Sequence, residues 1–326
     1  MRPKRMRWGF TLVELLVVIA IIGILIAAVA AGRAGRPRGA RRTQCVNNLK
    51  QLALGAINHH DTHGFLPTGG WGYQWVGDPD RGYNRRQPGG WIYNILPFVE
   101  QGPLHDMGSG MAMSAKAAAC SVRIGTPVPM FNCPTRRSAL AYPAPTGLPH
   151  FHTPHFASYT ELLARSDYAA SSGDIFLDVG PGPSSFEQGD APDYAWIDKS
   201  KHTGICHLRS EIKFAQITDG TSNTYLIGEK YLRPETYTTG DDPGDNESMY
   251  MGENGDIIRW ANLQIGPLQD RVGGTFWPHW GSSHSAGLNM SFCDGSVHLI
   301  HYGIDLENHR RLGNRKDGLP IDPEQL

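Results

Sequence analysis

The chain has 326 residues, enough for one large hydrophobic core or two smaller ones, and its 39 glycines and 23 prolines predict many turns and loops. The net charge of −1 hides an asymmetry, because nine of the 30 Lys and Arg residues precede Thr43 while the only acidic residue there is Glu14. From Thr43 onward 21 basic residues accompany 30 acidic ones, which argues against a nucleic-acid-binding surface.

An apolar segment occupies residues 10–31, a length of 22 residues. As a helix it would extend about 33 Å, enough to cross a hydrocarbon core of roughly 30 Å. Its 14 Leu, Ile, Val and Phe residues favour insertion by about 4–8 kcal/mol, more than the roughly 2.5–3.5 kcal/mol that a central carboxylate costs. Three interpretations fit: a simple membrane anchor, a secretory signal cleaved near residues 28–30, or a membrane segment in which the carboxylate of Glu14 has a functional partner.

The sequence RWGFTLVE at residues 7–14 resembles the processing site of type IV prepilins and pseudopilins. The resemblance implies that a prepilin peptidase removes a leader of residues 1–9 by cutting after Gly9, and then methylates Phe10. It also implies that Glu14 pairs with the N-terminus of a neighbouring pilin-like subunit inside the membrane. The body would then be periplasmic or on the cell surface, anchored by a single pass of residues 10–31 through the inner membrane.

Glycines and Pro37 interrupt the following residues 32–42, which predicts a kink or a flexible neck. Helical periodicity then resumes in TQCVNNLKQLALGAINHH and is expected to end before Gly64. Its apolar positions share one face of a helix, which we expect to pack against a sheet. These positions are Cys45, Leu49, Leu52, Ala53 and Ala56.

Beyond Gly64 the signals are mainly those of strands broken by turns, with WIYNILPFVE as a short apolar element, a long loop at 142–156 and a strand at 224–231. The sequence Asp294-Gly295 between two alternating runs predicts a two-residue hairpin loop. This hairpin would be half-buried, with Phe292 opposite Val297 and Met290 opposite Leu299. The expected fold class is α+β: a pilin-like long N-terminal helix followed by a mainly antiparallel sheet with long loops in residues 43–326.

Several segments are similar to a bacterial family named domain of unknown function 1559, whose members carry a prepilin-type N-terminus. The matching segments are residues 41–54, 127–137, 166–174, 217–230 and 281–297. The last of them contains the H-x9-D-G motif of that family, here His284 with Asp294 and Gly295. The resemblance implies a pilin-like fold and an exported location, and it brings no established activity.

The five cysteines are too dispersed for a zinc knuckle. Because Cys45 and Cys133 both lie in family-matching segments of an exported chain, we expect a disulfide that ties the helix to the sheet. Two buried thiols are the alternative.

Other candidate metal ligands are weaker. Clustered imidazoles can bind zinc or copper, although the first group is also typical of a helix end; the two groups are His59, His60, Asp61 and His63, and His150, His152 and His155. A turn-rich acidic loop offers oxygens suited to calcium, but its spacing does not match an EF-hand and a solvated loop is favoured; its acids are Asp241, Asp242, Asp245 and Glu247.

No catalytic signature is present. His284 and Asp294 lack a nearby G-x-S-x-G serine, and there is no P-loop or dinucleotide fingerprint, so we expect neither an enzyme nor a cofactor. The predicted function is assembly, as a minor pilin or pseudopilin in a secretion or cell-surface apparatus. The alternative is a binding module in which Trp71 and Trp75 stack on carbohydrate, although aromatic side chains in a β-rich domain more often form the core.

Overall fold

The computed structural model describes residues 15, 17–19, 39–145, 155, 157–158, 160–198 and 200–322, and the backbone of Arg38 and Lys199. Gly9, Phe10 and Glu14 lie outside the described residues, as do the predicted leader and most of the predicted membrane segment. Among the described residues, no helix combines the length and the apolar character needed to cross a membrane. The chain divides into two compact units, residues 1–41 and 42–326, and the core and sites below belong to the second.

The longest helix among the described residues is α1, Arg38–His63. It begins at Arg38, so the last five residues of the predicted neck, 38–42, are helical. The predicted apolar stripe is confirmed, because all five of its members are at most 1 % exposed. The helix ends where expected: Gly64 has a φ of 82°, and its N–H donates to the carbonyl of His60 at 2.7 Å.

A five-stranded sheet forms the centre of the body, with strand order β5-β3-β4-β8-β9. All its pairs are antiparallel except β3 with β5, so the expected mainly antiparallel sheet is confirmed. Two short pairs, β1 with β2 and β6 with β7, lie outside it. The strands are β1 Tyr142–Pro143, β2 Leu162–Leu163, β3 Tyr168–Ser171, β4 Tyr225–Glu229, β5 Ile258–Arg259, β6 Leu268–Gln269, β7 Gly281–Ser282, β8 Leu288–Phe292 and β9 Val297–Ile300.

Both faces of the central sheet are covered. One hydrophobic cluster joins Leu49 and Leu52 of α1 to Ile227 of β4, and a second contains Met290 of β8 and Leu312 near the C-terminus. Strand β8 is therefore buried at every position, and the prediction of a half-buried hairpin is wrong for this strand. Alternating sequence indicates one solvated face only when nothing packs on the polar side.

The predicted hairpin at Asp294-Gly295 forms, but its register differs by one residue. Ser291 pairs with Val297, and the N–H of Phe292 donates to the carbonyl of Ser296 at 2.9 Å. The loop thus has three residues, and Gly295 at its end has a φ of 80°. This is the geometry of a turn followed by a left-handed glycine, so the two-residue loop was wrong.

Beyond Gly64, where mainly strand-like signals were expected, residues 91–124 instead form short helices, and the apolar element WIYNILPFVE begins with one of them. The residues of α2 are all buried, and such a run lacks the periodicity that separates a helix from a strand. The helices are α2 Trp91–Ile95, α3 Gly102–His105, α4 Met113–Ile124, α5 Phe186–Asp190 and α6 Leu306–Gly313. Short 3-10 turns include Pro79–Arg81, Leu96–Val99, Pro129–Phe131, Lys199–Lys201, Phe214–Gln216, Thr221–Asn223 and Pro234–Thr236.

Candidate functional site

Four side chains with metal-ligating chemistry meet beneath α1: Cys45, Cys133, Glu229 and His284. Their ligand atoms all lie within 4.8 Å of one another, and this is the one such group of His, Cys, Asp and Glu side chains in the described part of the chain. The exposed fraction is 0 % for the first three residues and 8 % for His284. We call this group the Cys–Cys–Glu–His cluster.

Two of the cluster's residues supply sulfur atoms, and they come from distant parts of the chain. Cys45 lies on the buried stripe of α1, and Cys133 follows the 3-10 turn Pro129–Phe131. The N–H of Cys133 donates to a carboxylate oxygen of Asp167 at 2.6 Å, which fixes its backbone. The two sulfur atoms are 2.8 Å apart, and both residues are free thiols in this structure. The structure brings the two cysteines of the predicted disulfide into contact, and the disulfide itself stays a prediction.

The other two residues come from the sheet side. Glu229 ends β4, and its Oε2 accepts hydrogen bonds from the backbone N and the side-chain amide of Asn289 at 2.7 and 3.0 Å. Its Oε1 lies 3.2 Å from His284 Nε2. His284 follows β7, and its carbonyl accepts a hydrogen bond from the Tyr302 hydroxyl at 2.6 Å. His284 Nε2 is also 3.8 Å from the sulfur of Cys133.

The electrostatics of the cluster favour a charged pair. Burial lowers the pKa of His284, but hydrogen bonding to Cys133 and Glu229, together with their charges, outweighs burial and raises that pKa to about 9. Hydrogen bonding to Cys45 lowers the pKa of the Cys133 thiol against the opposing effect of burial, and His284 lowers it further. The same sulfur contact raises the pKa of Cys45. Cys133 is therefore the thiol that ionises more readily, beside a protonated imidazole.

A separate cavity of about 340 Å³ opens beside β5. Aromatic side chains form part of its wall: Phe176 is exposed, Trp277 is half-buried and Trp260 is buried. Three buried acidic residues also line it, namely Glu247, Glu253 and Asp256. We call it the aromatic–acidic pocket.

The acids of the aromatic–acidic pocket hold their protons more tightly than usual. Burial raises the pKa of Glu253 well above its ordinary value, against a smaller opposing effect of the Leu208 N–H. Burial and the charge of Asp256 raise the pKa of Glu247, and burial raises that of Asp256 to about 6. Protonated carboxyl groups can both donate and accept hydrogen bonds, which suits a ligand with hydroxyl groups.

The acidic side chains of the candidate calcium loop, residues 241–247, contact different groups of the protein. Asp245 forms ion pairs with Arg137 and with Lys230, the latter at 3.0 Å, and Asp242 lies 3.3 Å from Arg233. Asp241 is exposed, while Glu247 faces the aromatic–acidic pocket. Guanidinium and ammonium groups thus occupy the positions that a calcium ion would take, and the four acids do not converge on one point within the described structure. The favoured interpretation of a solvated loop is wrong for Asp242, Asp245 and Glu247, which are buried.

The predicted sugar-stacking tryptophans belong to the core. Trp71 and Trp75 are both 0 % exposed, and their indole N–H groups donate to the carbonyls of Arg85 and Pro183. A buried indole cannot stack on a ligand from solution, so that assignment is corrected. The exposed aromatic surface lies at Phe176 and Trp277 instead.

The histidines at the end of α1 are structural. His59 Nδ1 lies 3.0 Å from the carbonyl of Phe65, and His60 Nε2 accepts a hydrogen bond from the N–H of Phe214. The rings of His59 and His63 pack with centroids 4.7 Å apart. Together with Asp61 they form no metal-ligand group among the described residues. His155 packs on Trp75, and His150 and His152 lie outside the described residues.

The residues of the H-x9-D-G motif have two separate roles. His284 enters the Cys–Cys–Glu–His cluster, whereas Asp294 accepts hydrogen bonds from the N–H and hydroxyl of Ser296 and shapes the hairpin loop with Gly295. Sequence reasoning missed Glu229 altogether. A signal was present, because all four cluster residues lie in the segments that carry the family resemblance.

Comparison with known families gives two matches. The family described as "Protein of unknown function (DUF1559)" matches residues 35–307, more than half of the chain. The "Prokaryotic N-terminal methylation motif" matches residues 6–30. No curated protein and no solved structure matches the chain.

Proposed function

The chain belongs to the DUF1559 family and carries a prokaryotic N-terminal methylation motif, and from these facts we propose that it is a membrane-anchored, pilin-like assembly protein. It would serve as a structural component of a secretion or cell-surface apparatus, without catalysing a reaction. The observation that carries the proposal is the motif match over residues 6–30, which includes Gly9, Phe10 and Glu14. Prepilin peptidase and other pilin-like subunits are then its partners.

Two features of the described residues support this proposal. Residues 15 and 17–19 are helical, and their apolar side chains are between 43 % and 57 % exposed, as a segment bound by lipid or by neighbouring helices requires. Helix α1 also buries its apolar stripe in the body. A periplasmic or surface body anchored through the inner membrane by residues 10–31 follows from the proposal.

Mass spectrometry of the mature N-terminus tests the processing step. We expect the chain isolated from membranes to begin at a methylated Phe10, and Gly9→Val to leave the leader attached. Gly23→Ala, a glycine substitution in the same apolar segment, is the matched control and should be processed normally. A mature chain that begins after Ala30 would contradict the proposal, because Glu14 would then be discarded.

Crosslinking in membranes tests the assembly step. Glu14→Ala should be processed yet lose most crosslinks to other pilin-like subunits, because a carboxylate in the apolar segment needs a cationic partner. Glu161→Ala replaces an exposed acid of the body and should crosslink like the parent. Equal crosslinking of parent and Glu14→Ala would refute pairing through Glu14.

A second candidate function is binding of a carbohydrate in the aromatic–acidic pocket. The observation that favours it is the combination of Phe176 and Trp277 with three buried acids around a cavity of about 340 Å³. Aromatic faces bind the apolar faces of sugars, and the acids supply hydrogen bonds to hydroxyl groups.

Titration of the full chain with a panel of soluble oligosaccharides tests this candidate. Trp277→Ala should weaken binding at least tenfold while leaving assembly intact. Trp196→Ala, a partly buried indole that does not line this pocket, is the control and should bind like the parent. Binding that is unchanged in Trp277→Ala would rule out the pocket as the carbohydrate site.

A further inference from the structure

We propose that the Cys–Cys–Glu–His cluster is a structural site for a divalent transition metal, best suited to Zn²⁺. The ligands are the sulfurs of Cys45 and Cys133, Nε2 of His284 and Oε1 of Glu229, whose ligand atoms lie within 4.8 Å of one another. The proposal concerns the body of the protein and is independent of N-terminal processing.

The donor set selects this class of ion. Thiolates and imidazole are the preferred ligands of zinc, and a carboxylate commonly completes its four-coordinate sites. Calcium and magnesium prefer sites made of oxygen alone, which two sulfurs and a nitrogen do not provide. Four protein ligands also leave no open position, which is typical of a structural rather than a catalytic site.

The distances fit a tetrahedron after a small adjustment. Zinc bonds of about 2.3 Å to sulfur and about 2.0–2.2 Å to nitrogen or oxygen separate neighbouring ligand atoms by roughly 3.3–3.8 Å. The contact from His284 Nε2 to Glu229 Oε1 is 3.2 Å, and the contact from His284 Nε2 to the Cys133 sulfur is 3.8 Å. The two sulfurs, 2.8 Å apart, must separate by about 1 Å, and the remaining pairs of ligand atoms already lie within 4.8 Å of one another.

Neighbouring groups orient the ligands before any ion arrives. Both hydrogen bonds from Asn289 go to Oε2 of Glu229, which leaves Oε1 directed at the cluster. Asp167 holds the N–H of Cys133, and Tyr302 holds the carbonyl of His284. Such outer partners are a regular part of metal sites, since they fix the geometry of the first ligands.

The charges are compatible with a buried ion. Two thiolates and one carboxylate around Zn²⁺ leave a net charge of about −1. Binding would release the thiol protons and the imidazolium proton, as is usual when zinc displaces protons from its ligands.

A disulfide between the two cysteines is the competing use of the same atoms. It would require an oxidant to accept two electrons, would release two protons, and would remove both thiolates. A disulfide would explain why Cys45 and Cys133 meet, but it would leave Glu229 and His284 as a buried ion pair without a further role. The metal accounts for all four.

The first experiment uses the full chain, purified in detergent under reducing conditions, with Zn²⁺ or Co²⁺ as the probe. After removal of unbound metal, elemental analysis should find one equivalent per chain. Co²⁺ should give the visible absorption of a tetrahedral thiolate site. Chains that retain no stoichiometric metal would overturn the proposal.

Variants locate the bound ion. Cys45→Ser and His284→Gln should bind at least 100-fold more weakly, and Asn289→Ala, which keeps all four ligands, about 10–100-fold more weakly. Cys206→Ser is the matched control, because Cys206 is equally buried but lies outside the cluster. Retention of full affinity in Cys45→Ser and His284→Gln would place the ion elsewhere and overturn the assignment.

Thiol protection in the parent chain avoids any dependence on folding of the variants. Zn²⁺ should slow alkylation of Cys45 and Cys133 at least tenfold, and peptide mapping should find Cys206 unaffected. Alkylation of Cys45 and Cys133 at the same rate with and without Zn²⁺ would contradict the site, as would a disulfide that forms in the presence of saturating Zn²⁺.

Discussion

Two buried polar groups of this protein have opposite compositions. Around Asp245, the acid is met by the cations of Arg137 and Lys230, and all three side chains are at most 1 % exposed. In the Cys–Cys–Glu–His cluster, by contrast, four potential metal ligands meet with His284 as the only cationic side chain among them. The first group is an ion-pair network, and the second has the composition of a metal site.

The difference shows why spacing along the sequence identifies neither group. The acidic loop at residues 241–247 was a weak calcium candidate because its carboxylates are close in sequence, yet Arg137 contacts Asp245 from 108 residues away. The cluster has no such spacing, since Cys45 and Cys133 are 88 residues apart. What decides the chemistry in each case is which distant side chain the fold brings to the site.

Removing Asp245 should produce the largest effect. Asp245→Asn leaves Arg137 and Lys230 with less compensation in a buried environment, so we expect the free energy of unfolding to fall by about 3–5 kcal/mol. Chemical denaturation of the full chain in detergent measures it. Asp241→Asn, on the exposed part of the same loop, should change stability by less than about 0.5 kcal/mol. Similar effects of the two substitutions would show that the network does not stabilise the body.

Zinc and calcium should have different effects on the free energy of unfolding, because only the Cys–Cys–Glu–His cluster is expected to bind a metal ion. At a free concentration near 100 times the parent's dissociation constant, Zn²⁺ should raise the free energy of unfolding by about 2.7 kcal/mol in the parent and by at most about 0.4 kcal/mol in Cys45→Ser. Calcium should have no comparable effect, because Arg137, Lys230 and Arg233 already compensate the acids at 242 and 245. Stabilisation by calcium that is lost in Asp245→Asn would reverse these assignments.

Local patterns predicted the parts of the fold that local contacts determine. The buried stripe of α1 follows from a period of 3.6 residues, and its end follows from Gly64, whose φ is 82°. The hairpin followed from Asp294-Gly295. Its register did not, because the N–H groups of Cys293 and Asp294 bond to the carbonyls of residues 224 and 221, in a segment far away in sequence.

The candidate site could be predicted only in part. Cys45 and Cys133 stood out as cysteines in family-matching segments, and His284 as part of a motif. Glu229 had no signal of its own, since its role depends on β4 pairing with β8, where Asn289 holds one of its oxygens. Sheet order joins residues that no short-range period connects.

A third kind of buried group, a histidine without an acidic ion-pair partner among the described residues, provides a smaller test. His309 is 0 % exposed, and burial, with a smaller effect of the charge of His279, lowers its pKa to about 3. Its ring lies 3.2 Å from the Tyr225 hydroxyl. The unfolded chain binds the proton near pH 6.5 while the folded chain does not, so stability is complete above that pH and falls as the pH decreases toward about 3.

Below pH 6.5 this group should lower the free energy of unfolding by about 1.4 kcal/mol per pH unit. Between about pH 7.5 and pH 5 the expected loss is therefore about 2 kcal/mol. His309→Gln should remove that contribution and flatten the pH dependence. His301→Gln, at an exposed histidine, should keep the parent's slope. Denaturation curves at each pH give the slopes, and parallel slopes for parent and His309→Gln would refute a neutral buried imidazole.

The hairpin that follows His284 should give the smallest effect. Gly295 has a φ of 80°, and a Cβ at this position would lie 3.1 Å from Ile57 of α1, so Gly295→Ala should cost about 1–2 kcal/mol through backbone strain. Gly303→Ala is the matched control, because no atom lies within 4 Å of its Cβ position and its φ is not in the left-handed region. If the three-residue loop is correct, only Gly295→Ala destabilises the body, and zinc affinity changes little because no ligand lies in the loop. Equal stability of both variants would show that Gly295 does not adopt the left-handed conformation that this loop requires.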